Sequence, residues 1–351
     1  MSRFWSDIAR SLTPYVPGEQ PRAQKQVKLN TNEFPFPPSP KVLSVMAETH
    51  GDALRLYPDP ESVELREGIA EYYGLSNEQV FVGNGSDEVL AHAFLGLLKQ
   101  DQPILFPDIT YSFYPVWCEL YGVQYQQVPV TESFQVDAGD YGCDNGGIII
   151  PNPNAPTGIA MGLDAIRDVL AANPDRVVII DEAYVDFGAA SAVSLIDEYD
   201  NLLVTQTLSK SRALAGLRVG VAMGQAPLIE GLSRVKNSFN SYPLGVLAQR
   251  MALAAFEDEG YFRETCGQVI ETRERLSASL VELGFEVLPS SANFVFARHP
   301  SHSGRQVFER LREKDVIVRF FDKPRISEYL RITVGTEEQC DALLVALKEI
   351  L

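Results

Sequence analysis

The chain has little of what disulfides and metal sites are built from. Its 351 residues include only four cysteines and four histidines. Cys118, Cys143, Cys266 and Cys340 are scattered, and no two form a C-x-x-C pair, so neither a disulfide framework nor a zinc site is expected. His299 and His302 in "RHPSH" resemble a metal pair, but Pro300 interrupts the helical spacing that would aim both rings at one ion. No metal is therefore expected. Long hydrophobic runs are also missing. Nothing approaches the roughly 20 apolar residues of a membrane span, and "MSRFWSDIARSLTPY" lacks the long apolar core of a secretory signal. Both absences point to a cytoplasmic protein. Positive charge is scarce as well: 30 Lys and Arg stand against 47 Asp and Glu, for a net charge of −17. That balance speaks against nucleic acid and membrane surfaces as partners. Any anion bound here must be gripped by a few local cations and backbone N–H groups, against the field of the whole molecule.

What is present is enough apolar residue, 45% of the chain, for a sizeable core. The length exceeds what one core usually serves, so two domains are expected. Residues 1–30 carry Pro14, Pro17, Gly18 and Pro21 and read as an N-terminal arm. Residues 31–242 read as a large domain. Short β-like runs ("QVFVG", "PILF", "GIII", "RVVIID", "NLLVTQ", "RVGVAMG") alternate with helical patterns there, which implies a mainly parallel sheet covered on both faces, an α/β/α sandwich. One helix is expected to start at Asp59–Pro60 and stop at Gly74, and another to span "YSFYPVWCELYG". Residues 243–351, with long helical patterns followed by the short runs "FEVL", "NFVFAR", "VIVRFF" and "YLRITVG", read as a smaller α+β domain.

The chemistry gathers where predicted strands stop. "GNGSDE" follows "QVFV", "PNPNAPTG" follows "GIII", "DEAY" follows "RVVII" and "TLSK" follows "NLLVTQ". Ligands of open α/β sheets bind outside the carboxyl ends of the strands. Each motif alone has a plain structural reading. Ser86 and Asp87 suit a helix N-cap, and equally an anion at a helix N-terminus. Asp181, straight after four apolar residues, can cap a helix. If buried, it needs a partner, either a metal or a protonated ring nitrogen. Lys210, behind Thr207 and Ser209 and eight residues before Arg218, is a surface cation or a Schiff-base amine beside an anion grip. Together the motifs ask for one ligand with a phosphate, a pyridinium and an aldehyde, which describes pyridoxal 5′-phosphate.

At this point the sequence resembles the fold-type I, pyridoxal-phosphate-dependent aminotransferases, and among them the histidinol-phosphate aminotransferases. The resemblance runs through "SLTPY", "KLNTNEFPFPPSP", "RLYPDP", "GNGSDE", "DITYSFY", "PNPNAPTG", "DEAY", "TLSKSRALAGLRVG" and "LRITVGT", nearly the whole length. It implies a homodimer that exchanges an amino group between L-histidinol phosphate and 2-oxoglutarate, giving imidazole acetol phosphate and glutamate in histidine biosynthesis. It implies Lys210 as the Schiff-base lysine and proton shuttle, Asp181 as the partner of the pyridine nitrogen and Tyr184 near the phenolate oxygen. Tyr111 would stack on the ring. Ser86, Asp87, Thr207, Ser209 and Arg218 would hold the cofactor phosphate, and Tyr57 would reach the phosphate of the partner subunit's cofactor. Arg331, Arg319 and Tyr15 would bind the substrate anion, and Asn32 would border the substrate. Two positions depart from the family pattern. Ala155 stands where related enzymes often carry Asn before the Pro of "PTG", which leaves Asn154 as the candidate for that contact, and "NEFPF" replaces the common "NENP" beside Asn32. An aromatic amino acid aminotransferase or a phosphothreonine-type decarboxylase would use the same scaffold. A cofactor-binding regulator would need a nucleic-acid-binding module that the sequence lacks.

Overall fold

In the computed structural model, which describes residues 3–15, 18–20, 26–49 and 51–351, seven strands form the central sheet. They are β1 (Val80–Asn84), β2 (Ile104–Pro107), β3 (Tyr125–Val128), β4 (Ile148–Pro151), β5 (Val178–Asp181), β6 (Leu202–Thr207) and β7 (Val219–Gly224). Their spatial order is β1-β7-β6-β5-β4-β2-β3. Only β7 runs against its neighbours; the other contacts are parallel. Strand residues alternate between two cores. Ile148, Ile150, Val178, Ile180, Leu202 and Val204 pack against Leu65, Ile69, Ile166 and Leu170 from helices on one face. Ile149, Ile179 and Leu203 face Val89, Phe94, Tyr114 and Leu232 on the other. Burial on both faces explains why these strands read as unbroken apolar runs.

Helix Val63–Tyr73 begins three residues later than its Pro60 suggests, because Ser62 takes a left-handed conformation at φ 50°. Asp59 still caps it: its carboxylate accepts from Val63 N at 2.7 Å and Glu61 N at 3.0 Å. The helix ends at Gly74, φ 70°, as its sequence foretells. The run "YSFYPVWCELYG" becomes helical only over Tyr114–Tyr121, which leaves Tyr111 in a preceding turn. Helices Pro40–Glu48 and Ala226–Phe239 and strand β3 have no counterpart in the sequence reading.

The second sheet is antiparallel, in the order Arg319–Phe320, Tyr329–Thr333, Phe294–Arg298, Glu286–Val287. Leu276, Leu280, Leu311, Leu343 and Leu347 from three helices cover it. The run "VIVRFF" is split at Val318: Val316–Ile317 pairs in parallel with Val27–Lys28, and only Arg319–Phe320 joins this sheet. Leu29, fully buried, packs in the same core. The next residues, Asn30 to Asn32, are thereby held between the two sheets. Pro17 and Pro21 of the expected arm lie outside the described residues. Among the described residues no helix is long and apolar enough to cross a membrane.

Candidate active site

The ends of β1, β4, β5 and β6 open into one cavity of about 190 Å³. Its wall includes Ser86, Asp87, Tyr111, Asp181, Tyr184, Thr207, Ser209, Lys210 and Arg218 from the central sheet's side, and Tyr15, Asn32, Arg319 and Arg331 from elsewhere. Thirteen of the fifteen residues singled out in the sequence therefore meet in one place.

An anion cradle forms at the N-terminus of helix Gly85–Gly96. Gly85 has φ +83°, and a Cβ there would sit 2.5 Å from an Arg218 nitrogen. A Cβ on Gly220 would sit 2.4 Å from backbone atoms of Gly85 and Ser86. Two glycines thus let β7 and the helix approach closely enough for Arg218, itself left-handed at φ 54°, to reach across the helix end. Arg218 donates to Ser209 Oγ at 3.4 Å and to Asp87 Oδ2 at 3.1 Å. Tyr111 Oη donates to the other Asp87 oxygen at 3.1 Å. The first-turn N–H groups and the Arg218 guanidinium place donors together at this helix end, an arrangement that suits a phosphate.

Asp181, at the end of β5, is buried. Tyr114 Oη donates to its Oδ2 at 2.8 Å and Thr205 Oγ1 to its Oδ1 at 3.2 Å. Burial nevertheless outweighs both hydroxyls and pushes its pKa up to about 6. A carboxylate in this state needs a cation, and a protonated ring nitrogen in the cavity would supply one. Glu182, one residue on, points the other way. It is buried among Ser191 Oγ (2.7 Å), Ala192 N (2.6 Å) and Gln206 Nε2 (2.9 Å), and burial raises its pKa to about 7. Period-two alternation along the strand separates the cavity carboxylate from the structural one.

Lys210 Nζ donates to Thr31 O at 3.2 Å and lies 5.8 Å from the centre of the Tyr184 ring. Tyr184 Oη accepts from Asn32 Nδ2 at 3.0 Å. Asn32, left-handed at φ 54°, is fixed by Thr333 Oγ1 on its N–H and its Oδ1, and by Asn293 on its carbonyl, each at 3.0 Å. Asn32 therefore orients Tyr184.

Arg319 and Arg331 are direct cross-strand partners in the second sheet. Like charges so placed repel. Among the described residues neither arginine is ion-paired. Arg331 donates to Asn30 O at 3.0 Å, while its buried Nε has no partner. Desolvation pushes the Arg331 pKa down, and the neighbouring Arg319 charge acts in the same direction. Both guanidiniums lie 5.5 Å from the Phe321 ring centre. Tyr15 closes this end, 4.7 Å from the Phe113 ring. The pair is a second group of positive charge in the cavity wall, on the antiparallel sheet and apart from the Arg218 cradle.

Two candidates lie elsewhere. Asn154 is buried but turned from the cavity: its Nδ2 donates to Ile109 O at 2.9 Å, its Oδ1 has no partner, and Ala155 takes the place in the wall. Tyr57 is 82% exposed, its ring 4.7 Å from that of Tyr242 and tilted by 30°, and it is not in the wall of this subunit's cavity. Residues the sequence reading passed over are Tyr114, Thr205, Asn30 and Thr31. Thr205 shares a strand face with Thr207, a usable signal; Tyr114 reaches Asp181 only through the sheet topology. The rings of His299 and His302 lie 4.6 Å apart, and among the described residues no group of three or more His, Cys, Asp or Glu gathers as a metal site.

A family model for the class I and II aminotransferases matches residues 24–347. Among curated proteins, the chain is 61% identical to a histidinol-phosphate aminotransferase of Dechloromonas aromatica, covering 100% of this chain and 99% of the relative. It is also 61% identical to one of Pseudomonas aeruginosa, covering 99% of each. Among solved structures, a histidinol-phosphate aminotransferase of Sinorhizobium meliloti in complex with pyridoxal-5′-phosphate superposes with a TM-score of 0.90 at 23% identity, over 100% of this chain and 98% of the other. An aspartate aminotransferase of Thermus thermophilus, a tetra mutant, gives 0.85 at 19% identity over the full length of both. These two likenesses speak to the fold.

Proposed function

The chain belongs to the class I and II aminotransferases and, within them, to the histidinol-phosphate aminotransferase family; we propose that it binds pyridoxal 5′-phosphate and moves the amino group of L-histidinol phosphate to 2-oxoglutarate. The products are imidazole acetol phosphate and glutamate. The observation that carries the substrate assignment is the second anion site. Arg319 and Arg331 face each other across two strands without a carboxylate between them, in the same cavity as Lys210. A substrate with an amine at one end and a phosphate at the other answers both ends. Relatives close to 60% identical over the full chain bear the histidinol-phosphate name, which favours this reading over the aromatic or decarboxylating alternatives.

When bound, the cofactor supplies an aldehyde carbon reactive toward amines and a ring that draws electrons from the bond broken at the substrate Cα. The protein's own residues do the rest. Arg218, Ser209, Thr207 and the N–H groups of Ser86 and Asp87 hold the phosphate. Asp181 would give the ring nitrogen an anion to pair with, and Tyr111 would offer its face to the ring. Lys210 would be the amine that holds the cofactor's aldehyde, and as a free amine it would take the proton from the substrate Cα, with Thr31 O and the Tyr184 ring as its immediate surroundings. Tyr184, oriented by Asn32, donates toward the phenolate oxygen. Arg331 and Arg319 anchor phosphate in one half-reaction and carboxylate in the other; guanidinium forks suit both. The reading includes a cytoplasmic homodimer, in which Tyr57 reaches the partner's cofactor phosphate.

The test supplies the purified, cofactor-loaded protein with 2-oxoglutarate and each of histidinol phosphate, phenylalanine and O-phosphothreonine in turn, and measures glutamate, keto product and CO₂. Glutamate should form fastest with histidinol phosphate. Preference for phenylalanine, or release of CO₂ from O-phosphothreonine, would replace the assignment.

A further inference from the structure

Tyr114 is fully buried beside four aromatic rings, those of Phe94 (6.0 Å), Phe106 (5.7 Å), Tyr111 (5.7 Å) and Trp117 (6.2 Å). A phenylalanine would satisfy that packing. The hydroxyl adds a single polar contact, to Asp181 Oδ2 at 2.8 Å. Burial and the nearby Asp181 charge hold the phenol far above its ordinary pKa, so it acts only as a donor. From the adjacent strand Thr205 donates to Asp181 Oδ1 at 3.2 Å. Each carboxylate oxygen thus has one O–H aimed at it, an arrangement that favours the charged form of the acid.

We infer that Tyr114 and Thr205 are positioning residues for the ring-nitrogen partner: their two hydroxyls fix the Asp181 carboxylate as an ionised acceptor toward the cavity and so keep the cofactor's ring nitrogen protonated. The inference rests on the reading of the cavity as a pyridoxal-phosphate site. Removing either donor makes the carboxylate more basic, and the proton between acid and ring moves toward the acid. The other charge acting on Asp181 is Asp87. It is itself held by Arg218 and Tyr111, and neither variant touches it.

The test loads the protein with cofactor ¹⁵N-labelled at the ring nitrogen and follows the ¹⁵N shift with pH in wild type, Tyr114→Phe, Thr205→Val and Thr205→Ser. Below the pH at which acid and ring together lose their shared proton, the ¹⁵N shift should move toward the unprotonated value in Tyr114→Phe and in Thr205→Val, as the acid-to-ring ratio for that proton rises about tenfold, the equivalent of one charge-assisted hydrogen bond. Thr205→Ser, which keeps the donor, should behave as wild type. Cofactor retention should survive in all, since the phosphate cradle is untouched. Should Tyr114→Phe fail to fold, the Thr205 pair carries the same readout. A protonated nitrogen in wild type with an unchanged plateau shift in both donor-deleting variants overturns the inference alone. Absence of any bound cofactor in wild type overturns the reading of the site, and this inference with it.

Discussion

Among the described residues the Asp181 carboxylate is contacted by two hydroxyls and paired with no cation, so its role and its cost can be separated. Asp181→Asn should lower turnover at least 10²-fold, on the order of 3 kcal/mol, with the fold retained. The cofactor-free protein should respond in the opposite sense. With its pKa near 6 in the folded state against about 3.9 unfolded, Asp181 binds its proton more tightly when folded. Its contribution to stability is therefore fullest below about pH 4 and is lost as pH rises through about 6. Cofactor-free Asp181→Asn should thus melt above wild type at pH 8, with the advantage vanishing near pH 4. A lower melting temperature at pH 8 would show that the charge is already paired. At the other end of the cavity, Arg331→Ala should raise KM for both histidinol phosphate and glutamate by roughly 10- to 100-fold, the worth of one charge-assisted pair. Cofactor retention should not change. Loss of the cofactor with both KM values unaltered would reassign the residue.

Elements place these residues, and the glycines at their crossings are as demanding as the side chains. Gly220 on β7 would put a Cβ 2.4 Å from the backbone of Gly85 and Ser86, and backbone cannot swing aside as a side chain can. Gly220→Ala should push the helix end off the sheet, lowering the melting temperature and weakening cofactor binding together, as dialysis against buffer would report. Normal retention would mean that the cradle does not depend on this approach. The sequence made the strand-end motifs readable because apolar runs stop abruptly at "SDE", "DEAY" and "TLSK". It hid whatever depends on distant crossings: Gly220 against Gly85, and Tyr114 against Asp181, 67 residues apart. Helix Ala226–Phe239 had a usable signal in Pro227 at its start. Asn154 misled because adjacency in sequence says nothing of direction; its amide turns to Ile109, and Ala155 faces the cavity. Asn32 was readable as a site residue, but its link to Tyr184 required the C-terminal sheet to bring Asn293 and Thr333 beside it.

The whole molecule carries a net charge of −17, and the proposed function asks it to bind two phosphates through local cations and backbone N–H groups. It also exposes the apolar side chains of Leu54, Leu56, Tyr57, Phe239 and Tyr242, each at least 44% exposed, with the Tyr57 and Tyr242 rings 4.7 Å apart. In the proposed homodimer a second copy covers Tyr57 and Tyr242, and Tyr57 enters the partner's site. Sedimentation should therefore give twice the 38.9 kDa of one chain, and Tyr57→Ala should shed cofactor faster than wild type while remaining dimeric. A stable, fully active monomer would remove Tyr57 from the site. The central claim is that one cavity joins the Lys210 amine, the Asp181 carboxylate and the Arg319–Arg331 pair in amino transfer from a phosphorylated amine. It is tested most directly by a single half-reaction: cofactor-loaded protein mixed with histidinol phosphate and no keto-acid acceptor, with the keto product counted per active site. The account predicts about one equivalent from wild type and essentially none from Lys210→Ala; no product from wild type, or an equal yield from both proteins, would contradict it.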